Sequence, residues 1–328
     1  MELVCPAGNP SALRAAVDAG ADTVYVGFRD ETNARNFPGL NFDVEELREG
    51  LAYAHGHGCK VYVAINTYPR AGHAQPWRDA LDRAARLGAD AVILADIGLL
   101  DYAAKTHPTL RRHLSVQAAA AHAEAIAFYR DAFGIARVVL PRVLTVADIK
   151  SLIAQTGIET EVFAFGGMCP MAEGRCSLSS YVTGQSPNRS GACSPASHVR
   201  YEQDGDTLIS RLGPFTINRF GADEPAGYPT LCKGRFVAHD AAGYLFEEPT
   251  SLNVAPMLRE LATAGVSALK IEGRQRGKAY VAAVVASFRK LLDSTAAGIA
   301  PSADEVDALR DLAEGQRETV GAYRKAWR

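Results

Sequence analysis

The sequence carries almost no net charge. It has 35 Lys and Arg against 37 Asp and Glu, which gives a formal net charge of -2 at pH 7. A broad basic field that holds nucleic acid through its phosphates is therefore not expected, and this argues against an RNA substrate. Hydrophobic residues make up 48% of the 328 residues, so the chain is predicted to fold around a large core rather than to be disordered.

Long apolar runs are also missing. The run at residues 281–286 is far shorter than the roughly 20 residues that a membrane helix needs, so no membrane span is expected. Met1 and Glu2 do not open a signal peptide, and we expect a cytoplasmic protein. Disulfides are disfavoured in that compartment, so the six cysteines are predicted to be thiols or ligands.

Short catalytic motifs are scarce. The sequence has no G-x-S-x-G elbow, no H-E-x-x-H helix and no Gly-rich dinucleotide turn after its first predicted strand. It shows neither the paired nucleophile and base nor the metal-bound water that peptide hydrolysis needs. The close-set cysteine trio of radical enzymes that use S-adenosylmethionine is absent too.

What the sequence does contain is a regular alternation of short apolar strands and helices. Strands that are apolar on both faces and separated by helices are typical of a parallel sheet covered by helices. We predict a TIM-type (β/α)8 barrel, with an open doubly wound sheet as the alternative. The predicted strands are Glu2–Cys5, Thr23–Val26, Lys60–Ile65, Ala91–Ala95, Leu114–Val116, Arg137–Leu140, Glu161–Phe165 and, much later, Ala268–Ile271.

The predicted helices begin at recognisable caps. Asn9 precedes Pro10 at the start of the first helix, and Asp43 with Glu46 forms a capping-box pattern, as does Ser302 with Glu305 in the C-terminal tail. The other predicted helices are Pro76–Leu87, Gly98–Lys105, Ala121–Ala132, Val146–Gln155, Val254–Ala264 and Lys278–Leu292.

The alternation stops between Cys169 and about Pro249. This segment is rich in Gly and Pro and contains a predicted hairpin with a tight turn at Asp204 and Gly205. We therefore divide the chain into barrel strands one to seven, a cysteine-bearing iron-sulfur insertion, and barrel closure with C-terminal helices. Active sites of such barrels lie at the carboxyl ends of the strands, so the insertion is expected over the barrel mouth. The three parts are residues 1–168, 169–250 and 251–328.

Four cysteines lie in small-residue loops of this segment. Zinc ligands are usually paired two to four residues apart, whereas here six, sixteen and thirty-eight residues intervene. The spacing favours an iron–sulfur cluster, with zinc as the alternative. Gly166 and Gly167 are predicted to form a turn before the first of them, and His198 is a further candidate ligand. The four are Cys169, Cys176, Cys193 and Cys232, whereas Cys5 and Cys59 are predicted to be small buried apolar residues.

Polar residues follow several predicted strands. Glu272 and Arg274 are two residues apart on strand eight, which would place them on the same side, where the arginine fork suits an organic carboxylate. Arg35, in the loop after strand two, is expected to join them. We name these three as candidate catalytic residues, with a structural ion pair as the alternative. The wider set of residues at strand ends is Asn66, Asp96, Gln117, Arg142 and Lys270.

The residues around the first two loop cysteines carry a family pattern. E-x-F-x-x-G-G-M-C followed by E-G-R-C-S-L-S resembles the signature of the prokaryotic collagenase-like peptidase family of unassigned catalytic type. A branch of that family that acts in oxygen-independent hydroxylation during ubiquinone biosynthesis is similar up to about Leu292. The segments that carry this likeness are ELVCPAGNPSALRAAVDAGADTVYVG, AINTYP, SVQA, VVLPRVL, AEGRCSLSSYVTGQSPN, GACSPA, GYPTLCKGR, EEPTSLN and VSALKIEGRQR.

The resemblance implies a cofactor and a partner. It implies a [4Fe-4S] cluster bound by the four loop cysteines, and a heterodimer with a homologous cluster-bearing subunit. It further implies that the pair hydroxylates a ubiquinone precursor, with prephenate as the oxygen source proposed in the wider family. A peptidase remains an alternative, as does a cluster-bearing assembly or electron-transfer subunit without an active site of its own.

Overall fold

Seven strands and six helices alternate over the first half of the chain in the computed structural model, which describes residues 1–171, 175–299 and 302–324. Each strand pairs in parallel with the strands that precede and follow it. The strands are β1 (Glu2–Pro6), β2 (Thr23–Gly27), β3 (Lys60–Ile65), β4 (Ala91–Leu94), β5 (Arg111–Leu114), β6 (Arg137–Val139) and β7 (Glu159–Gly167). The helices are α1 (Pro10–Asp18), α2 (Val44–Gly56), α3 (Gln75–Leu87), α4 (Ile97–Thr106), α5 (Ala123–Phe133) and α6 (Val146–Thr156).

The segment after β7 has a different character. It contains two short helices, a three-stranded antiparallel sheet and a two-stranded ribbon. The predicted hairpin at Asp204 and Gly205 is confirmed, because Asp204 pairs with Thr207 across the turn. The elements are α7 (Ser177–Thr183), α8 (Pro187–Ser190), β8 (Val199–Asp204), β9 (Thr207–Leu212), β10 (Phe215–Phe220), β11 (Arg235–Ala238) and β12 (Ala241–Tyr244).

The last part of the chain closes the barrel. Its elements are β13 (Ser251–Asn253), α9 (Leu258–Ala264), β14 (Ala268–Ile271), α10 (Lys278–Ala296), α11 (Ala303–Asp307) and β15 (Glu318–Thr319). β14 pairs in parallel with both β1 and β7, so eight parallel strands form a closed circle with helices outside. The predicted TIM-type barrel is confirmed. In addition, β13 pairs antiparallel with the end of β7, and β15 pairs with β13.

The core lies in two places. Most of the buried apolar side chains lie between the outside of the barrel and the helices, where Trp77 and Phe288 are among the largest. A smaller cluster, including Tyr25 and Tyr62, lies apart from that larger core. Apolar burial on both faces of the strands explains why they appear in the sequence as nearly continuous apolar runs.

Several charged side chains on the barrel strands are buried. Glu161 on β7 is fully buried, and its two carboxylate oxygens lie 2.6 Å from Lys270 Nζ and 3.2 Å from Arg137 Nη1. Arg137 also contacts the carboxylates of Glu2 and Glu159. Glu161, Lys270 and Arg137 therefore each have an opposite partner, which is the condition for tolerating charges away from water.

The helix caps predicted from the sequence are present in the structure. Asn9 accepts a hydrogen bond from the amide of Ala12, and the capping box of Asp43 and Glu46 is present in both directions. The box predicted at Ser302 is also present, although α11 is short. No helix in the described ranges is both long and apolar enough to cross a bilayer.

Strand five lies earlier in the chain than predicted. The structure places it at Arg111–Leu114, and Val116 opens a short 3-10 turn instead. The prediction followed apolar residues, but this strand carries buried polar ones. Arg112 is buried because its guanidinium donates to backbone carbonyls, including that of Phe133 at 2.9 Å. His113 is buried against the ring of Tyr62.

The turn predicted at Gly166 and Gly167 is wrong. Both residues still belong to β7, where they pair with Leu252 and Ser251 of β13. The glycines are needed for space. A Cβ at Gly166 would lie 2.5 Å from Cβ of Glu272, and one at Gly167 would lie 2.9 Å from the carboxylate of Glu314. Gly166 also has φ of 143°, a conformation that side chains disfavour.

Candidate functional site

Glu272 lies at the centre of a charged site at the barrel mouth. It follows β14 directly, and its carboxylate contacts a guanidinium on each side. Arg142, three residues beyond β6, makes a short ion pair with Oε2 of Glu272. Arg35, in the β2–α2 loop, has Nη2 3.8 Å from Oε1. We call Arg35, Arg142 and Glu272 the mouth site.

The two arginines of the mouth site differ in their surroundings. The Arg142 side chain is only 8% exposed, and its guanidinium carbon lies 3.6 Å from the centre of the Phe163 ring. The Arg35 side chain is 45% exposed and its contact with Glu272 is longer. Arg142 is therefore fixed by packing and cation–π contact, whereas the Arg35 side chain is partly exposed to solvent.

The charges of the mouth site determine the protonation of Glu272. Burial by itself raises the pKa of this carboxyl, but the positive charges of Arg142 and Arg35 outweigh burial and lower the pKa below its ordinary value. Glu272 is therefore a carboxylate at neutral pH. In that form it accepts hydrogen bonds and protons, and it does not act as an acid.

Arg274 points away from Glu272. Its Nη1 donates to Oδ1 of Asn33 at 3.1 Å, and its Nη2 makes a short hydrogen bond to the carbonyl of Ala34. Burial lowers the pKa of Arg274 to about 10, which still leaves it charged at neutral pH. The fork therefore holds the β2–α2 loop, while Arg35 and Glu272 are the two predicted residues that the structure brings together.

Glu272 and Arg274 do not lie on one strand face, so that prediction is wrong. β14 ends at Ile271, and both residues lie in the following loop. Gly273 between them has φ of 151°, so the alternation of a regular strand does not apply. The predicted bounds of this strand, Ala268–Ile271, are confirmed, so the error was to extend the strand alternation past its end.

The other polar residues at strand ends have identifiable contacts. Asn66 accepts a hydrogen bond from the amide of Ala34 at 2.9 Å, so it also supports the β2–α2 loop. Asp96 caps α4 through the amide of Leu99. Lys270 pairs with Glu161 and lies over the ring of Tyr25. The carbonyl of Gln117 accepts from the hydroxyl of Tyr68.

The loop cysteines differ from the two on the barrel. Cys5 and Cys59 are buried, as predicted, and burial raises the pKa of Cys59 to about 12 and that of Cys5 well above its ordinary value. Cys169 and Cys193 are exposed, and Cys176 and Cys232 are half-buried. The thiols that solvent reaches are therefore those of the loops.

Several contacts bring the loop cysteines into one neighbourhood. Ser179 of α7 donates its amide to Sγ of Cys176 at 3.3 Å, and its hydroxyl makes a short hydrogen bond to the carbonyl of Cys193. Burial, and then the charges of Cys169 and Cys193, raise the pKa of Cys232 to about 11. All four loops therefore meet, although within residues 1–171, 175–299 and 302–324 no three Cys, His, Asp or Glu side chains lie close enough to hold a metal ion.

The donor set suits an iron–sulfur cluster. Four thiols with two exposed members match the all-cysteine ligation of such clusters. His198, the further candidate ligand, lies with Nδ1 3.0 Å from the hydroxyl of Ser197. The [4Fe-4S] assignment to Cys169, Cys176, Cys193 and Cys232 remains a prediction.

The mouth site and the cysteine loops are at the same end of the barrel. The amide of Glu272 donates to the carbonyl of Phe165 at 2.8 Å, and Phe165 precedes Cys169 by four residues. Lys233, next to Cys232, makes a short ion pair with Glu314. Glu314 also lies 3.1 Å from Arg276, in the loop that carries Glu272. Direct contacts therefore connect β7, β14 and the C-terminal segment around both groups.

Residues 8–323 match the sequence profile of peptidase family U32. The chain belongs to peptidase family U32. This confirms the collagenase-like family that the glycine and cysteine pattern indicated. The family name does not by itself assign a reaction.

Three relatives in family U32 carry names that point to two activities. The chain is 28% identical to tRNA hydroxylation protein P1 of Bacillus subtilis (strain 168), covering 98% of this chain and 70% of that protein. It is 30% identical to tRNA hydroxylation protein P of Escherichia coli (strain K12), covering 95% and 72%. It is 28% identical to a protein named Collagenase from Porphyromonas gingivalis (strain ATCC BAA-308 / W83), covering 89% and 66%.

Sequence reasoning assigned no specific role to two residues of this region. Arg142 was only one of several polar residues at strand ends, and nothing in the sequence shows that it pairs with Glu272. No sequence pattern indicated a role for Glu314, because its partners Lys233 and Arg276 lie far away in the chain. Both are defined by tertiary contacts.

Proposed function

We propose that this chain is the iron–sulfur component of an oxygen-independent hydroxylase acting on a ubiquinone precursor, a UbiU-like subunit that works with a homologous UbiV-like partner. The observation that carries the proposal is the hydrogen bond from the amide of Glu272 to the carbonyl of Phe165 at 2.8 Å, which joins the strand leading to Cys169 to the mouth site. Relatives named as hydroxylation proteins support the reaction class. The segments quoted above support the ubiquinone branch.

In this proposal a [4Fe-4S] cluster is held by Cys169, Cys176, Cys193 and Cys232. When bound, such a cluster supplies one-electron transfer. The chain contributes the loops that hold the thiols together. Ser179 connects two of these loops, because its amide donates to the thiol of Cys176 and its hydroxyl to the backbone carbonyl of Cys193.

The mouth site binds the oxygen donor in this proposal. Arg35 is exposed and charged, and its planar fork holds a carboxylate by two parallel hydrogen bonds. Prephenate, a carboxylated organic acid, is our candidate donor. Arg142 keeps Glu272 ionised and in place, so that Glu272 orients Arg35.

Two other functions have support of their own. An RNA substrate is favoured by the names of the two hydroxylation relatives, but the balanced charge of this chain supplies no general phosphate-binding surface. Peptide hydrolysis is favoured by the relative named Collagenase. It requires an activated nucleophile, and the mouth site offers a paired carboxylate instead.

Anaerobic copurification with the UbiV-like subunit tests the proposal. The complex is expected to be brown, to hold about four irons on this chain, and to add one oxygen to the ubiquinone precursor when prephenate is supplied. The product is measured by mass spectrometry. Arg35→Lys is expected to abolish it with iron content unchanged. Arg29→Lys is the matched control, because Arg29 is equally exposed at 45% and pairs with Glu46 on the outside.

The outcomes separate the alternatives. Hydroxylated RNA with no ubiquinone product would retain the reaction class and reject the substrate. Cleavage of gelatin by a cysteine variant that lacks iron would establish the peptidase. Full activity of an isolated monomer would contradict the heterodimer, and stoichiometric zinc without sulfide would contradict the cluster.

A further inference from the structure

The β2–α2 loop carries Arg35 in an unusual backbone conformation. Arg35 has φ of 143°, which is sterically disfavoured for a residue with a Cβ. Such a conformation persists only when neighbouring contacts impose it. The Asn41 side-chain amide and the Phe37 backbone amide donate to the carbonyl of Arg35 at 2.9 and 3.0 Å. The residues immediately before it, Asn33 and Ala34, are buried and add further contacts.

Arg274 hydrogen-bonds to both of these residues. Its two terminal nitrogens donate to the side chain of Asn33 and to the carbonyl of Ala34. The guanidinium reaches them across Gly27 at the end of β2, where a Cβ would lie 2.8 Å from Nη1. One buried side chain from the β14–α10 loop thus fixes two consecutive residues of the β2–α2 loop.

Further contacts hold the same residues from other directions. The amide of Ala34 donates to Asn66 Oδ1 at 2.9 Å. The carbonyl of Asn33 packs against Gly191, where a Cβ would approach it to 2.6 Å. The position of Arg35 is therefore set by its neighbours on both sides of the loop.

We propose that Arg274 is a positioning residue that acts through Arg35: it fixes Asn33 and Ala34 so that the Arg35 guanidinium reaches Glu272 and the anion bound beside it. The ligand part rests on the proposed function, whereas the contact between Arg35 and Glu272 does not. Arg274 itself touches neither the ligand nor the carboxylate. This role replaces direct carboxylate binding by Arg274.

The pKa of Glu272 reports the position of Arg35 without any ligand. Arg142, Arg35 and Lys270 lower this pKa, and Arg274 also interacts with Glu272 through its charge, so displacement of Arg35 raises the pKa when a positive charge is kept at position 274. Arg274→Lys is the informative variant, because lysine keeps the charge but cannot donate to Asn33 and Ala34 together. The measurement is carbon-detected NMR titration of the Glu272 carboxyl in the full chain.

A double-mutant comparison then distinguishes positioning from general stability. Arg274→Lys and Arg35→Ala are each expected to raise the pKa of Glu272, and the double variant is expected to match Arg35→Ala. The control Arg276→Lys, on the same loop but paired with Glu314, should leave it unchanged. An unchanged pKa in Arg274→Lys, or a further rise in the Arg35→Ala background, overturns the proposal.

Two additions keep the test decisive. If Arg274→Lys does not fold, Asn33→Ala removes the acceptor of Nη1 while leaving Arg274 in place, and it must raise the pKa of Glu272 in the same way. Calorimetric titration with prephenate separates the two hypotheses. If the pKa pattern holds but the wild type binds no prephenate, the proposed function fails and the positioning role stands.

Discussion

Glu272 is a half-buried carboxylate whose charge is maintained by two arginines. Its pKa is lowered in the folded protein, because Arg142 and Arg35 outweigh the effect of burial. A group whose pKa is lowered on folding contributes stability above its unfolded pKa, which is about 4.3 for Glu. That contribution is lost as the pH falls through the lowered folded value.

We therefore expect the stability difference between the wild type and Glu272→Gln to depend on pH. The wild type should be the more stable at neutral pH, because Gln removes the partner of a buried guanidinium. The difference should shrink below about pH 4.3 as Glu272 becomes protonated. Urea unfolding from pH 3 to pH 7 measures it, and a difference independent of pH would contradict the assignment.

The two classes of cysteine should behave differently as ligands. Cys176→Ala and Cys193→Ala are expected to lose iron, because an iron–sulfur cluster needs its thiolates. Cys5→Ala is the control and should retain iron, since Cys5 is buried with its pKa raised. Iron and sulfide assay of anaerobically prepared protein measures this. Iron loss from the Cys5 variant together with retention in Cys176→Ala would reverse the division.

At the scale of elements, the end of β7 is shaped by the side chains that pack on it. Gly166→Ala is expected to destabilise the fold by about 1–3 kcal/mol, because its Cβ would clash with Glu272 and its φ is positive. The free energy of unfolding measures this. Gly243→Ala, on the β11–β12 ribbon with open space around it, is the matched control and should have little effect.

The C-terminal segment is anchored to the barrel by a buried hydrogen bond. The hydroxyl of Tyr323 donates to the carbonyl of Phe163 on β7 at 2.7 Å. Tyr323→Phe should lower the free energy of unfolding by about 1–3 kcal/mol, because the carbonyl loses a buried donor. Tyr181→Phe, at an exposed position, should change it little. Equal effects of the two variants in thermal or urea unfolding would show that this anchor is unimportant.

Across the whole molecule, two regions distant in sequence form one end of the barrel. The loop after β2 meets the loop after β14 because β1 pairs with both strands. Glu314 then connects Lys233 of the cysteine segment with Arg276. The cysteine segment is thus connected to the loop that carries Glu272 through the ion pairs of Glu314.

The sequence by itself determined the barrel, the helix caps and the separation of buried from loop cysteines. These features depend on local patterns: apolar strands between helices, a capping residue three positions before its partner, and Gly or Pro beside a thiol. The bounds of strand five were mispredicted because Arg112 and His113 are buried through hydrogen bonds and a ring contact, which the apolar pattern of the sequence does not indicate.

The tertiary structure alone decided which charged groups meet. Arg35, Arg142 and Glu272 lie on three loops, each more than a hundred residues along the chain from the next. Arg274 hydrogen-bonds to the β2–α2 loop and not to Glu272. Side-chain direction after a strand depends on where the strand ends and on backbone angles such as that of Gly273. Long-range pairing follows from closure of the barrel, and no local pattern in the sequence encodes it.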